Sequence, residues 1–451
     1  MTVRRSSARI GAGAGFSGDR IEPAIELATH GALDYLVFEC LAERTIALAQ
    51  RARRDDPQSG FDPLLDARIR AVLRPCVDRG VRIVTNMGAA NPSGAAGRIA
   101  AIARDIGLAG LQIATVTGDD VLAQVLHRDP PLFGEPGRVS DLKRDRILSA
   151  NAYLGAGPIR DALAAGAQVV VTGRVADSAL FLAPLMHEFG WREDDWSLLG
   201  RGAMTGHLLE CAGQLTGGYF ADPGVKDVPG LARLGFPFAD VAPDGTAVFG
   251  KVAGSGGLID LRTCTEQLLY EIGDPAAYPT PDVTADFSGV RLRMLGPDRV
   301  EASGGDGRPA PAMLKVSVGY TDGYTGEGQI SYAGVNAVAR GRLALEIIRE
   351  RLDLTGVPVR DLRCELIGLD ATYIGAGLPD LRRQTEVRAR VTGRTDTIEA
   401  ARRIGQEVES LYTTGPAGGG GVTRHAQSVI AIASTLIPRG DVSSDVTLLT
   451  A

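Results

Sequence analysis

The stretch ARIGAGAGFSGDRIEPAIELATHGALDYLVFEC, from Ala8 to Cys40, indicates the fold class. It opens with a short β-type run, Ala8–Ala12, and closes with a second one, Leu33–Cys40. Between the two runs, apolar residues recur at the spacing of one helical face, at Ile21, Ala24, Ile25 and Ala28. A strand, a helix and a second strand in this order predict one β–α–β unit of a parallel sheet.

The alternation of β-type runs and helical patterns repeats through the first half of the chain. Four further β-type runs follow, at Val81–Asn86, Leu111–Val116, Ile147–Ala152 and Gln168–Gly173. A helix is expected to start at Asn91 as N-cap, because Pro92 suits the first helical position. Largely apolar strands indicate a parallel sheet that is covered on both faces. We therefore predict a doubly wound, mostly parallel α/β sheet in residues 1–220, with an incomplete β/α barrel as the alternative.

The second half has a different pattern. Residues 221–240 are rich in proline and glycine and lack a clear period, which predicts a linker. Short alternating strands then surround two helical patterns, Val335–Leu352 and Thr397–Leu411. Residues 241–451 are therefore expected to form an α+β domain that carries Gly-rich loops.

Composition narrows the class of protein. The 451 residues are 44% hydrophobic and carry a net charge of −6, and only 5% are aromatic. These values argue against nucleic-acid binding. Apolar runs are too short for a membrane span, and no apolar signal core follows the basic N-terminus. Five scattered cysteines fit reduced thiols. We expect a cytoplasmic protein, a homo-oligomer, with no membrane and no nucleic acid as partner.

Polar side chains follow most of the predicted strands of the first half. They are Glu39, Asn86, Asp119, Asn151 with Tyr153, and Arg174 with Asp177. In open parallel sheets the ligand crevice lies outside the carboxyl ends of the strands. Burial at a strand end raises the pKa of a carboxyl group, which suits Glu39 or Asp177 to proton transfer. The arginine can hold an anionic group, and the two amides can polarise a carbonyl. The alternative is that these residues only cap helices at the surface.

A glycine-rich turn follows the first strand. Gly13, Gly15 and Gly18 satisfy the GxGxxG pattern, with Asp19 and Arg20 directly after it. In this context backbone N–H groups can face an anion. The carboxylate of Asp19 would repel a pyrophosphate, and with Glu22 it also fits a capping box. The turn therefore predicts an anion-binding or active-site loop, with dinucleotide binding or a purely structural turn as alternatives.

One helical motif places three reactive side chains on a shared face. His207, Glu210 and Cys211 stand at positions i, i+3 and i+4. No further ligand spacing accompanies them, so we predict no metal and consider His207 for proton transfer. Serine and cysteine nucleophile signatures are absent from the sequence.

Four long motifs carry a resemblance to a known family. They are GAGFSGDRIEPAIELA (Gly13–Ala28), LDYLVFECLAERTIALAQ (Leu33–Gln50), RIVTNMGAANP (Arg82–Pro92) and VVVTGRVADSALFLAPL (Val169–Leu185). With them the chain resembles the acyclic terpene utilisation AtuA family over nearly its whole length. The family takes its name from a bacterial gene cluster that degrades citronellol and geraniol through acyl-CoA intermediates. Some members carry an extra small C-terminal domain, which implies a separate small partner subunit here.

The resemblance assigns no catalytic residues. It implies only that Asp19, Arg20, Glu39, Glu43, Arg44, Asn86, Asn91, Arg174 and Asp177 fall within the motif blocks. Together with the strand-end residues, it favours a lyase or hydratase that acts on a small carboxylate or an acyl-CoA thioester. CoA would then be part of the substrate, and no other cofactor is expected. The alternatives are a nicotinamide-dependent oxidoreductase and a non-catalytic binding subunit of an acyl-CoA-processing complex.

Overall fold

The computed structural model describes residues 6–372 and 384–451. Its strands are β1 (Ala8–Ala14), β2 (Tyr35–Phe38), β3 (Arg82–Thr85), β4 (Gln112–Thr117), β5 (Ile147–Ala152), β6 (Val169–Thr172), β7 (Pro237–Val241), β8 (Ala247–Lys251), β9 (Tyr278–Pro279), β10 (Thr284–Asp286), β11 (Arg291–Gly296), β12 (Arg299–Ser303), β13 (Asp306–Arg308), β14 (Met313–Ala333), β15 (Arg360–Ile367), β16 (Glu386–Thr395), β17 (Gly420–Pro438) and β18 (Asp445–Thr450). Its helices are α1 (Glu22–His30), α2 (Glu43–Asp55), α3 (Leu65–Asp78), α4 (Pro92–Asp105), α5 (Leu122–Arg128), α6 (Gly157–Ala164), α7 (Ala179–Phe189), α8 (Trp196–Leu209), α9 (Leu261–Leu269), α10 (Ala337–Leu354) and α11 (Ile398–Thr414).

A ten-stranded sheet, in the order β11-β12-β8-β7-β1-β2-β3-β6-β4-β18, organises most of these elements. Its central strands β1, β2, β3, β6 and β4 are parallel. Antiparallel strands extend it on both sides, with β7 against β1 and β18 against β4. The fold is therefore mixed α/β, as predicted, and the strands that the structure describes form no closed barrel.

The fifth predicted strand has a different place from the one expected. Strands β4 and β6 hydrogen-bond directly to each other, which leaves no position for β5 between them. Strand β5 pairs instead with β14, near the point where the Tyr153 amide donates to the Lys315 carbonyl at 3.0 Å. The parallel sheet therefore has one strand fewer than the local patterns predict, because strand patterns do not reveal pairing partners.

Local signals predict the start of α4 correctly, but not that of α1. The Asn91 side chain accepts from the Gly94 amide at 3.0 Å, and Pro92 opens α4, as expected. The predicted capping box of α1 does not form, because Ile21 is its N-cap and makes no side-chain cap. The Asp19 carboxylate accepts instead from the Gly15 amide at 2.7 Å, which closes the glycine turn on itself.

The chain divides into two compact units at positions other than the predicted ones. One consists of Met1–Gly319 with Ile432–Ala451, and the other of Tyr320–Ala431. The predicted linker 221–240 contains most of β7, whose Phe238 pairs with Gly11 of β1 and is buried. Proline and glycine therefore mark turns there, while the apolar residues among them complete the first sheet.

The second unit has its own core. Within it, β16 lies between β14 and β15 in an antiparallel sheet. Helices α10 and α11 cover this sheet and bury residues such as Ile330, Val391 and Ile404. An α+β arrangement was expected for this part of the sequence, and both helices lie within a few residues of their predicted bounds. No helix of the described chain is both long enough and apolar enough to cross a bilayer.

Candidate functional site

A cavity of about 1200 Å³ opens at the carboxyl ends of the central strands of the first unit. Gly15 follows β1, Glu39 follows β2 and Arg174 follows β6, and all three line this cavity. The parallel order of the strands brings their ends to one edge of the sheet. The sequence prediction that separate β–α units contribute to one cleft therefore describes the geometry of these residues correctly.

Glu39 is a buried carboxyl group that an asparagine holds in place. Its Oε1 accepts from the Asn86 Nδ2 at 2.9 Å and from the Leu41 amide at 2.9 Å. Burial raises the pKa of Glu39, while the charge of Arg174 and these two hydrogen bonds oppose the rise. Asn86 does not line the cavity, and its Oδ1 accepts from the Cys40 amide at 2.7 Å. This asparagine therefore positions Glu39 and does not face a ligand.

Arg174 lines the cavity with almost no exposed surface, its side chain being 2% exposed. Its Nη2 donates to the Asp177 Oδ1 at 2.8 Å, and its Cζ lies 4.1 Å from the centroid of the Tyr153 ring. Its Nε and Nη1 are buried without a hydrogen-bond partner among the described residues. Arg174 is therefore paired with Asp177, whereas a bidentate contact with a ligand anion would need its side chain to move.

Asp177 is a carboxyl group at the cavity wall whose side chain is 36% exposed. Desolvation by the surrounding side chains raises its pKa well above the ordinary value, the Arg174 charge opposes this, and the charges of Glu39, Glu210 and Glu43 add to it. Carboxyl groups that share a site in this way cannot all ionise together. The surroundings of Asp177 consequently favour its protonated form.

A second cluster at the same wall adds Glu43 and Lys315, which were not predicted as site residues, to the strand-end residue Tyr153. The Glu43 Oε1 accepts from the Tyr153 hydroxyl and from the Lys315 Nζ, the latter at 3.1 Å. Although burial raises the pKa of Glu43, the tyrosine hydrogen bond and the charges of Arg174 and Lys315 lower it to about 2. Glu43 is therefore ionised, and Lys315 brings further N–H donors to the cavity.

Signals for this second cluster were present in the sequence. Tyr153 follows a predicted strand, and Glu43 lies in one of the motif blocks of the family resemblance. Lys315 is one of only four lysines in a chain that uses arginine for nearly all of its basic positions.

The motif on α8 forms a hydrogen-bonded pair behind the cavity. The His207 Nδ1 lies 2.9 Å from the Glu210 Oε1, and Glu210 lines the cavity while His207 does not. Although burial lowers the pKa of His207, the Glu210 hydrogen bond and charge raise it above the ordinary value. The described residues contain no group of three or more side chains placed to hold a metal ion. His207 thus holds Glu210 in place and has no ligand-facing position.

The glycine turn packs closely against its neighbours, and its Gly15 amide already makes a hydrogen bond within the turn. A Cβ on Gly13 would stand 2.7 Å from the Phe38 ring, and one on Gly15 would stand 2.4 Å from the Cys211 carbonyl carbon. A Cβ on Gly18 would meet the Phe16 ring at 2.5 Å. Because the Gly15 amide already donates to Asp19, the turn is poorly prepared for a pyrophosphate.

Two charged residues of this turn reach the cavity wall. Asp19 lines it, and burial raises the pKa of its carboxyl group. Arg20 lines it as well, and its Nη1 donates to the carbonyls of Leu231 and Ala232 at 3.0 and 3.2 Å. The arginine is therefore tied to protein backbone.

Two further predicted site residues, Asn91 and Asn151, lie away from the cavity wall, as do Gly13 and Gly18 of the turn. Asn91 caps α4 and donates to the carbonyls of Pro57 and Ser59. Asn151 is buried, and its Nδ2 donates to the Asp119 Oδ2 at 2.8 Å. The same Asp119 oxygen accepts from the Arg174 amide at 2.9 Å, so this pair supports the strand end that carries Arg174.

Comparison with known proteins identifies one relationship. The family described as "Acyclic terpene utilisation family protein AtuA" matches residues 8–448, and the chain therefore belongs to this family. No curated protein sequence and no solved structure matches the chain.

Proposed function

We propose that this member of the AtuA family is an acid–base enzyme, a lyase or hydratase that acts on a small carboxylate or an acyl-CoA thioester. One observation carries the proposal: Glu39 and Asp177, both with raised pKa, line the same cavity. Pairs of carboxyl groups whose environments separate their protonation are the usual basis of acid–base catalysis at neutral pH.

The two carboxyl groups differ in the form that their surroundings favour. Glu39 accepts two hydrogen bonds on Oε1, which favours its carboxylate. For Asp177, desolvation and the charges of the nearby carboxylates outweigh the opposing charge of Arg174, which favours its protonated form. We therefore assign Glu39 as the base and Asp177 as the acid.

The reaction balances with these two groups and water. In the hydration direction, Glu39 takes one proton from water while the water oxygen bonds to one carbon of the double bond. Asp177 gives its proton to the neighbouring carbon as the π bond breaks. A proton then returns from Glu39 to Asp177 through solvent, and dehydration is the reverse sequence.

A carbonyl next to the reacting carbons needs a hydrogen-bond donor, because negative charge develops on its oxygen. Lys315 lines the cavity, and its ammonium group has further N–H donors beside the one that binds Glu43. We assign this role to Lys315 in place of Asn86 and Asn151, whose amides bind Glu39 and Asp119. Tyr153 donates its single hydroxyl proton to Glu43 and so keeps Glu43 oriented.

The test uses the full-length chain and a panel of α,β-unsaturated and 3-hydroxy acyl-CoA thioesters with their free acids. Glu39→Gln and Asp177→Asn should each lower kcat/KM by about 10²–10⁴-fold, the usual contribution of a positioned acid or base. Glu399→Gln, at an exposed position of the second unit, is the matched control and should change nothing. Folded Glu39 and Asp177 variants with wild-type turnover would refute the mechanism, and ligand binding without any turnover would favour a non-catalytic binding subunit.

Three further expectations stay proposals: a homo-oligomer, a small partner subunit and a cytoplasmic location. Light scattering of the purified chain measures the first. Co-purification of the tagged chain from its natural host measures the second, and cell fractionation measures the third.

A further inference from the structure

The cavity wall carries more carboxyl side chains than cationic side chains. Among the described residues the wall carries six carboxyl side chains, Asp19, Glu39, Glu43, Asp177, Glu210 and Glu271. Three cationic side chains accompany them among the described residues, Arg20, Arg174 and Lys315. With Asp177 protonated, five carboxylates against three cations leave a formal charge of −2. A ligand anion inside this space would therefore face like charges at low dielectric.

Each of the three cations already has a protein partner. Lys315 is paired with Glu43 at 3.1 Å and Arg174 with Asp177 at 2.8 Å. Arg20 donates to two backbone carbonyls. The two nitrogens of Arg174 that lack partners are buried beneath the wall. A ligand carboxylate would therefore have to share a cation that a protein carboxylate or backbone carbonyl already uses.

Apolar side chains make up much of the remaining wall and continue out to its rim. Leu41, Leu234 and Leu314 line the cavity, and Phe16 and Tyr219 line it as exposed aromatic residues. Apolar side chains exposed together at a cavity mostly mark a binding surface. Tyr219 is 90% exposed at φ 60°, a backbone conformation uncommon for a residue with a large side chain. Strain of this kind is often retained where a side chain contacts a ligand.

We infer that the cavity binds an acyl chain whose carbonyl is uncharged, as in a thioester, and discriminates against the free carboxylate. This inference rests on the proposed function and chooses between its two substrate classes. The apolar wall accommodates the chain, while the uncharged carbonyl accepts a hydrogen bond from Lys315 without adding a negative charge.

The experiment measures binding and needs no turnover. Isothermal titration at pH 8 compares octanoate with S-octanoyl-N-acetylcysteamine, an uncharged thioester of the same chain. We expect the thioester to bind at least about tenfold more tightly, a difference of about 1.4 kcal/mol. Equal or tighter binding of octanoate, or no binding of either probe, would overturn the inference.

A variant tests whether charge is the cause. Glu271→Gln removes one carboxyl group of the wall that has no part in the proposed mechanism. Octanoate should then bind a few-fold more tightly, while the thioester affinity stays constant. Glu399→Gln is again the control and should change neither affinity. An unchanged octanoate affinity in Glu271→Gln would remove charge repulsion as the reason for selectivity.

The two proposals can fail separately. Selective binding of the thioester combined with wild-type turnover in Glu39→Gln would refute the acid–base mechanism alone. Tight octanoate binding combined with loss of turnover in the same variant would refute only the inference on charge.

Discussion

Arg174 is the cation around which the carboxyl groups of the cavity are arranged, and Arg174→Met removes its charge while keeping a long side chain. The wild-type guanidinium is paired with Asp177 at 2.8 Å and lies over the ring of Tyr153. Its charge also opposes the burial that raises the pKa of Glu39 and Asp177. We expect the substitution to lower the free energy of unfolding and to raise both pKa values further.

The size of the effect follows from the geometry of the pair. Two unit charges 2.8 Å apart attract by about 6 kcal/mol at an effective dielectric constant of about 20. Because the Asp177 side chain is 36% exposed, solvent screening reduces this, and we expect a coupling of about 2–3 kcal/mol. Loss of the contact with the Tyr153 ring adds about 1 kcal/mol. The total cost at pH 8 should therefore be about 3–4 kcal/mol.

The assay is urea unfolding of the wild type, Arg174→Met, Asp177→Asn and the double variant at pH 8 and pH 5. A double-mutant cycle isolates the coupling between the two side chains. At pH 5 Asp177 is protonated in a larger fraction of molecules, so the ion pair contributes less and Arg174→Met should cost less. A coupling energy below about 0.5 kcal/mol at pH 8, within the error of additivity, would refute the reasoning. So would an equal cost of Arg174→Met at both pH values.

Three further predictions concern stability. Burial raises the pKa of Asp119 from 3.8 to about 6, so the folded state binds the proton more tightly than the unfolded state does. Proton binding by Asp119 therefore stabilises the fold at low pH, and this contribution is lost as pH rises from about 4 through 6. Asp119→Asn should remove about 3 kcal/mol of that pH dependence in urea titrations at both ends of the range, and an unchanged slope would contradict it. Gly15→Ala should lower the free energy of unfolding by about 1–3 kcal/mol in thermal melts, because its Cβ would stand 2.4 Å from a backbone carbon. The control Gly97→Ala has nothing within 4 Å of its Cβ and should be neutral or stabilising. Asn86→Ala should cost about 2–3 kcal/mol in urea unfolding, because it leaves a buried carboxylate and a buried amide each without one partner, and a loss below about 0.5 kcal/mol would count against this role.

Local sequence patterns determined a good part of the fold and part of the site. The runs that became β1 to β6 were recognisable because strands buried on both faces are continuously apolar. The start of α4 at Asn91 and Pro92 was recognisable because cap chemistry involves only neighbouring residues. The meeting of Glu39, Asn86 and Arg174 followed from one rule, that parallel strands end at the same edge of a sheet.

Which side chains line the cavity and which support them from the interior depends on tertiary packing. An asparagine at a strand end could equally face a ligand. The amides of Asn86 and Asn151 instead bind Glu39 and Asp119. Lys315 meets Glu43 across 272 positions of sequence. Strand β5 pairs with β14 and β7 with β1, and no local period records such partners. The physical reason is that periodicity and capping are set by residues a few positions apart, whereas pairing and side-chain direction are set by burial against elements that are distant in sequence.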